Sequence, residues 1–180
     1  MGVRVVRLAS KSKIKEGGVI DAFALWRPGG AIKPILYPVE LQDRSDLEIN
    51  AQPEGREQTL AYVYARKSAM QAQYGALPPE DGFDVIVESG AIDGEDVAVV
   101  LVQTHTGHEA VAFSPGIPFP AGTLEEARRR GFRHTTAGDV IHERHPHIPA
   151  DDWQHFFEPR MSRRYQIGTA ILEALRTLEA

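Results

Sequence analysis

Apolar runs with strand character alternate with stretches of helical period along the chain. Val3, Val5, Val6, Leu8 and Ala9 make residues 3–9 an expected first strand, rich in β-branched side chains. An amphipathic segment follows, with Val19, Ile20 and Phe23 on one side, and predicts a helix over residues 13–24. Gly17 and Gly18 weaken that helix by roughly 1 kcal/mol each relative to alanine, so it must lean on packing or on a ligand. Pro28, Gly29 and Gly30 read as a loop, and residues 35–41 as a second strand that Pro38 places at an edge or a bulge.

Residues 59–74 carry the clearest helical pattern, with Leu60, Val63, Tyr64 and Met70 at helical spacing and Gly75 as a stop. Residues 83–92 predict a strand, the pair Asp93-Gly94 a tight turn, and residues 97–104 the returning strand. A third strand is expected over residues 110–113, then extended chain over residues 115–120. Thr123 to Glu126 matches a capping box, with Gly131 closing the short helix it opens. Residues 137–141 begin another loop-to-helix unit, and residues 161–178 form a last helix with Ile167, Ile171, Leu172 and Leu175 on one side. This order predicts a single α/β domain over residues 1–180, built on a mixed β-sheet flanked by helices.

Composition narrows the function classes. A formal net charge of −5 argues against a nucleic-acid partner held by a broad basic field. The chain has no cysteine, which excludes disulfides and thiolate chemistry and agrees with a cytoplasmic setting. Arg4 and Arg7 interrupt the first apolar run and no run approaches membrane-spanning length, so neither a leader peptide nor a membrane partner is expected.

Candidate chemistry starts where the first strand ends. Ser10, Lys11, Ser12, Lys13 and Lys15 alternate hydroxyls with ammonium groups just before a helix, whose N-terminus itself favours anions. The motif G-x-x-x-x-G-K-[ST] is absent, so anion binding here rests on those side chains and on backbone N–H groups. Glu88 sits in an otherwise apolar strand, where it either faces solvent or supplies a carboxylate to a cleft and a hard cation. Glu57 opens the long helix; Asp46 and Glu80 lie in loops; Asp139 serves either a metal or a helix cap. His142, Glu143, Arg144 and His145 do not form H-E-x-x-H, and no G-x-S-x-G elbow occurs. Arg160, Arg163 and Arg164 open the last helix, where cations oppose its dipole and suggest an anionic partner.

In chain order, these stretches resemble the inosine/xanthosine triphosphatase family, allied to the Maf-like and ITPase-like nucleotide hydrolases. Residues 9–15, ASKSKIK, look like that family's A-[ST]-x-N-x-x-K; residues 52–59, QPEGREQT, look like Q-P-x-G-x-E-E-T, and Arg66 falls on its N-R pair. Residues 85–92, VIVESGAI, look like V-x-I-E-x-G-I; Gly138, Asp139, Val140 and Ile141 resemble G-D-V-M; and Arg160, Ser162 and Tyr165 resemble the start of its last helix.

The resemblance implies an elongated mixed sheet, two lobes with a central cleft, and a homodimer. It implies hydrolysis of non-canonical purine nucleoside triphosphates of the ITP and XTP type with Mg²⁺, or Mn²⁺ in its place. Ser10, Lys11, Ser12, Lys13, Lys15, Arg66, Ser89, Gly90, Asp139 and Arg160 would then hold the substrate. Glu57 and Glu88 would hold the metal with Asp46 and Glu80, and Glu88, Glu57 and Lys15 would carry catalysis. The chain also departs from the pattern. Ser12, Gln58 and Ala65 replace Asn, Glu and Asn, and residues 150–159 stand where the family has K-x-x-G-A-I-G-x-L-T. Those departures keep two alternatives open: a nucleotide-binding protein of this fold without turnover, and a hydrolase of another phosphorylated nucleotide with Trp153 or Phe156 stacking on its base.

Overall fold

A computed structural model describes residues 3–29, 32–39, 55–131 and 135–180. The sheet is organised by a long hairpin of β3 (Phe83–Ile92) and β4 (Glu95–Thr104), paired antiparallel over their whole lengths. Asp93 and Gly94 form the connection with positive φ at both residues, as a two-residue hairpin turn demands. That is why β4 begins at Glu95, two residues before the apolar run. Antiparallel β5 (Glu109–Phe113) and β6 (Ile117–Pro118) pair with β4. On the other side β1 (Val6–Leu8) runs parallel to β3, and β2 (Ile35–Leu36) runs parallel to β1. The sheet is therefore mixed, in the order β2-β1-β3-β4-β5. β1 and β2 are much shorter than their apolar runs. Pro34 and Pro38 flank β2 and bring no N–H to a ladder, which confines the pairing at this edge.

Helices cover both faces. α1 (Lys13–Trp26) and α6 (Arg163–Glu179) cover the face of Leu8, Val85, Val87, Val100 and Val102. α2 (Arg56–Tyr74) covers the face of Ala9, Ile86, Val99 and Leu101 through Val63 and Met70. α2 starts three residues before Thr59, on a polar turn invisible to hydrophobic period. Past the hairpin turn, α3 (Thr123–Arg130), α4 (Ala137–Arg144) and the single-turn α5 (Gln154–Phe157) surround a smaller core of Ile117, Ile141, Ile148 and Trp153. The capping box expected at Thr123 is not there: left-handed Gly122 is the N-cap of α3, and Thr123 is buried one residue later. The box forms instead at α4, between Thr136 and Asp139.

Polar groups also penetrate the α2 face. Arg7 Nε and Nη2 donate to the two carboxylate oxygens of Asp84 at 2.5 and 2.7 Å, and Arg7 also donates to the carbonyls of Tyr74 and Gly75 at the end of α2. The hydrogen bond with Asp84 raises the guanidinium pKa above its ordinary value; burial pushes the Asp84 carboxyl up, against the pull of Arg7.

The glycines of α1 answer the question their sequence raised. A Cβ on Gly18 would lie 2.7 Å from Ile167 Cγ2 and 3.2 Å from the Arg164 carbonyl, and a Cβ on Gly168 would lie 3.3 Å from the Gly18 carbonyl. α1 and α6 therefore meet backbone to backbone, and packing offsets the propensity cost. The atoms nearest a Cβ on Gly17 belong to the Arg164 side chain, which pairs with Asp21 at 2.6 Å.

Two predictions concern this helix pair. Gly18→Ala gains about 1 kcal/mol of helix propensity but overpacks the contact at about 1–3 kcal/mol. It should lower the urea midpoint, whereas Gly17→Ala, facing a side chain that can move away, should leave it unchanged or raise it; equal effects would refute the contact. The hydrogen bond from Arg164 lowers the pKa of Asp21, so its stabilisation is complete above the ordinary carboxylate range and is lost as pH falls through the lowered folded value. For so exposed a pair the amount is at most about 1 kcal/mol. Thermal melts of Asp21→Asn should lie slightly below wild type at neutral pH and converge with it in acid.

Candidate functional site

β1 pairs with β3 only over residues 83–85, and the Ala9 amide adds one further bond, to the Val85 carbonyl. Beyond that point β3 runs on to Ile92 with no strand among the described residues on its β1 side, and the chain leaving β1 turns into α1. The basic loop lies in this step of the sheet. Lys15 Nζ donates to the Val87 carbonyl at 3.0 Å, so an ammonium group takes the place of a neighbouring strand. Ser12 is the N-cap of α1, its hydroxyl accepting from the Lys15 amide, and Ser10 Oγ accepts from the Ser12 amide. Serine is as good an N-cap as asparagine, which explains why this position accommodates Ser12. Both hydroxyls act here as acceptors, so their O–H groups remain available to donate.

Three cavities adjoin along the step. The first, about 600 Å³, is lined by Ser10, Lys11, Ser12, Lys13, Ile14, Lys15, Arg66 and Asp151, among others. The second, about 190 Å³, shares Ser12, Ile14, Lys15 and Asp151 with it and adds Val87, Ser89 and Arg163. The third, about 440 Å³, shares Ser89, Asp151 and Arg163 with the second; Thr59, Gly90, Leu124, Phe119, Gly138, Asp139 and Trp153 also line it. It separates the main sheet from the smaller core, so the two lobes and the cleft take the expected form. One end of the cleft is basic; the other combines apolar walls with polar groups.

Of the expected residues, Ser10, Lys11, Ser12, Lys13, Lys15, Arg66, Ser89, Gly90 and Asp139 all line this cleft. Glu88 lies on the α2 face, almost wholly buried, with Oε1 accepting from Arg66 Nε at 2.6 Å; Arg66 also donates to the Val39 carbonyl. Asp139 is at the same time the N3 residue of the α4 capping box, its carboxylate accepting from the Thr136 amide at 3.0 Å. Glu57 is exposed in the first turn of α2 and lines none of these cavities. Glu80 precedes β3, before the strand's first residue; five residue steps, about 16 Å, separate Phe83 from Glu88. Arg160 is exposed and lies outside the cavity walls. Asp46 falls outside the described residues. The structure thus keeps Glu57, Glu80 and Glu88 on separate elements, and among the described residues no three His, Asp or Glu side chains converge.

Two wall residues were not among the expected site residues. Arg163 sits one residue into α6, with Nη1 2.8 Å from Asp96 Oδ2 and its amide donating to Asp152 Oδ1. Asp96 also accepts from Gln154 Nε2, and Gln166 Nε2 donates to the Asp96 carbonyl at 2.9 Å. The arginine is therefore fixed by a buried polar network. Asp151 lines all three cavities. Its loop presses on α4: a Cβ on Gly138 would lie 2.2 Å from the Ala150 carbonyl, so only glycine fits there. Three arginines at the start of the last helix were the signal for Arg163; nothing local marked Asp151. Trp153 is core, stacked on Phe119 at 5.1 Å, and Phe156 is exposed away from the cleft.

No family model matches the chain, and no curated protein matches it. Among solved structures it is similar to the crystal structure of protein VC0702 from Vibrio cholerae, at 20% identity over 99% of this chain and 96% of that one, with a TM-score of 0.73. That likeness shows the α/β fold over nearly the whole chain. Among the described residues no helix is long and apolar enough to cross a membrane.

The cleft floor generates a prediction. A Cβ on Gly90 would lie 2.3 Å from Thr59 Oγ1, and the Gly55 amide donates to the Ala91 carbonyl, so the start of α2 is seated directly on β3. Gly90→Ala should cost about 1–3 kcal/mol in urea unfolding. Adding Thr59→Ala should recover most of it, and a coupling near zero would refute the contact.

Proposed function

We propose that the protein is a Mg²⁺-dependent hydrolase of nucleoside triphosphates, acting on 6-oxo purine substrates such as ITP and XTP. The observation that carries this reading is the graded cleft: four cations and two hydroxyls at one end, an apolar-walled cavity of about 440 Å³ at the other, and a continuous wall between them. A triphosphate fits the first end by charge, and a base fits the second by size and by its mixture of apolar and polar walls. The sequence resemblance supplies the substrate class and the homodimer, and the lack of cysteine agrees with a cytoplasmic setting.

Lys11, Lys13, Lys15 and Arg66 would neutralise the phosphate chain, with Ser10, Ser12 and first-turn amides of α1 donating to its oxygens. Mg²⁺ suits this donor set, because phosphate-borne Mg²⁺ commonly needs only one or two protein carboxylates. When bound it would withdraw charge from the phosphoryl oxygens. Glu88 would gain its role by exchange: as Arg66 turns to the phosphates, the Glu88 carboxylate becomes able to orient water or to meet the metal. A specific observation also favours the alternative of binding without turnover, since Arg66 pairs with the Glu88 carboxylate at 2.6 Å.

The test offers purified protein ITP, XTP, dITP and the standard nucleoside triphosphates with Mg²⁺, and measures phosphate and pyrophosphate release. Turnover of the 6-oxo purines is expected, with Glu88→Gln losing at least about tenfold in rate while its circular dichroism is retained. Nucleotide binding in calorimetry without release of either product would replace this reading by the binding-protein alternative. An unchanged rate in Glu88→Gln would remove that residue from the mechanism.

A further inference from the structure

The carboxylates on the cleft walls and next to them are not equivalent. Glu88 is held by Arg66, Asp96 by Arg163 and Gln154, Asp139 by the capping box, and Asp152 by the Arg163 amide. Asp151 is exposed, and among the described residues it makes no hydrogen bond or ion pair. It is nevertheless the side chain common to all three cavities, alongside Lys11, Lys13, Lys15 and Arg66 in the first, Lys15 and Arg163 in the second, and Arg163 in the third. Its backbone is not free to retreat, because the Ala150 carbonyl is seated against Gly138 and the Asp152 carboxylate is tied to the start of α6. In the first two cavities a single carboxylate thus stands among the cations.

Such a charge has opposite effects on two forms of one ligand. It repels a bare polyphosphate that enters the cleft. It attracts the same polyphosphate when a divalent cation lies between them, because the carboxylate oxygens then become ligands of that cation. We propose that Asp151 makes polyphosphate binding in this cleft conditional on a divalent cation, as the protein's contact to the metal that accompanies the phosphate chain. The inference rests on the polyphosphate reading of the basic end and deepens it. Linkage requires the converse as well: polyphosphate must raise the protein's affinity for the metal by the same factor.

Inorganic tripolyphosphate is the probe, titrated calorimetrically into wild type, Asp151→Asn and Asp151→Glu, once with EDTA and once with excess Mg²⁺. Wild type should bind more tightly with Mg²⁺. Asp151→Asn should bind more tightly than wild type in EDTA and more weakly in Mg²⁺, each by on the order of tenfold. Asp151→Glu should keep the wild-type direction, and matching melting temperatures should show that all three chains are folded alike. The same Mg²⁺ dependence in Asp151→Asn as in wild type, or tighter binding by that variant in both conditions, overturns the proposal. If wild type binds tripolyphosphate in neither condition, this inference and the polyphosphate reading fall together. ITP titrated in the same way separates them: tripolyphosphate binding with the expected reversal, but no ITP binding, would reject the nucleotide and keep the role of Asp151.

Discussion

The step between β1 and β3 is the constraint on which the cleft depends. A parallel strand of three residues lies beside a strand of ten, so the longer one must complete its hydrogen bonding by other means. Lys15 does part of this, and the α1 N-terminus arrives at the same place because β1 has just ended. The cations at that spot are therefore a consequence of sheet geometry as much as of local sequence. Alternation along β3 adds a second consequence: Val87 and Ser89 face α1 and α6, whereas Ile86 and Glu88 face α2.

The hairpin was legible because two long apolar runs flank Asp93-Gly94, a pair that has few other uses. The basic loop was legible because hydroxyls and lysines alternate at a strand end. Much of the cleft wall followed from these two stretches, including Ser12, Lys15, Ser89 and Gly90. What the sequence left unplaced has a common physical origin. Glu57 and Glu80 stand near the right elements, but chain order does not say which end of a strand, or which side of a helix turn, meets the cleft. Asp151 depends on a backbone contact with Gly138, and Arg163 on a network that draws together β4, α5 and α6. α5 has four residues, too few to show a period.

Glycine has two distinct duties in this fold. At Gly94 it supplies a backbone conformation. At Gly18, Gly90 and Gly138 it supplies absence of volume, letting helix meet helix, helix meet strand and loop meet helix. Each of the last three contacts borders a wall of the cleft or carries one. The shape of the cleft is set more by where backbones touch than by the large side chains that line it.

The Arg7–Asp84 pair has a consequence for how the sheet is assembled. Three residues of β1 offer little apolar pattern with which to choose an alignment on β3. Arg7 lies directly across from Asp84, and both side chains enter the α2 face beside the last carbonyls of α2. A slip of one residue would turn the guanidinium into the layer of Leu8 and Val85 and leave a buried charge without a partner, at a cost of about 3–5 kcal/mol. The pair thus works as a key: it admits one alignment of β1 on β3, and with it one placement of the loop that follows.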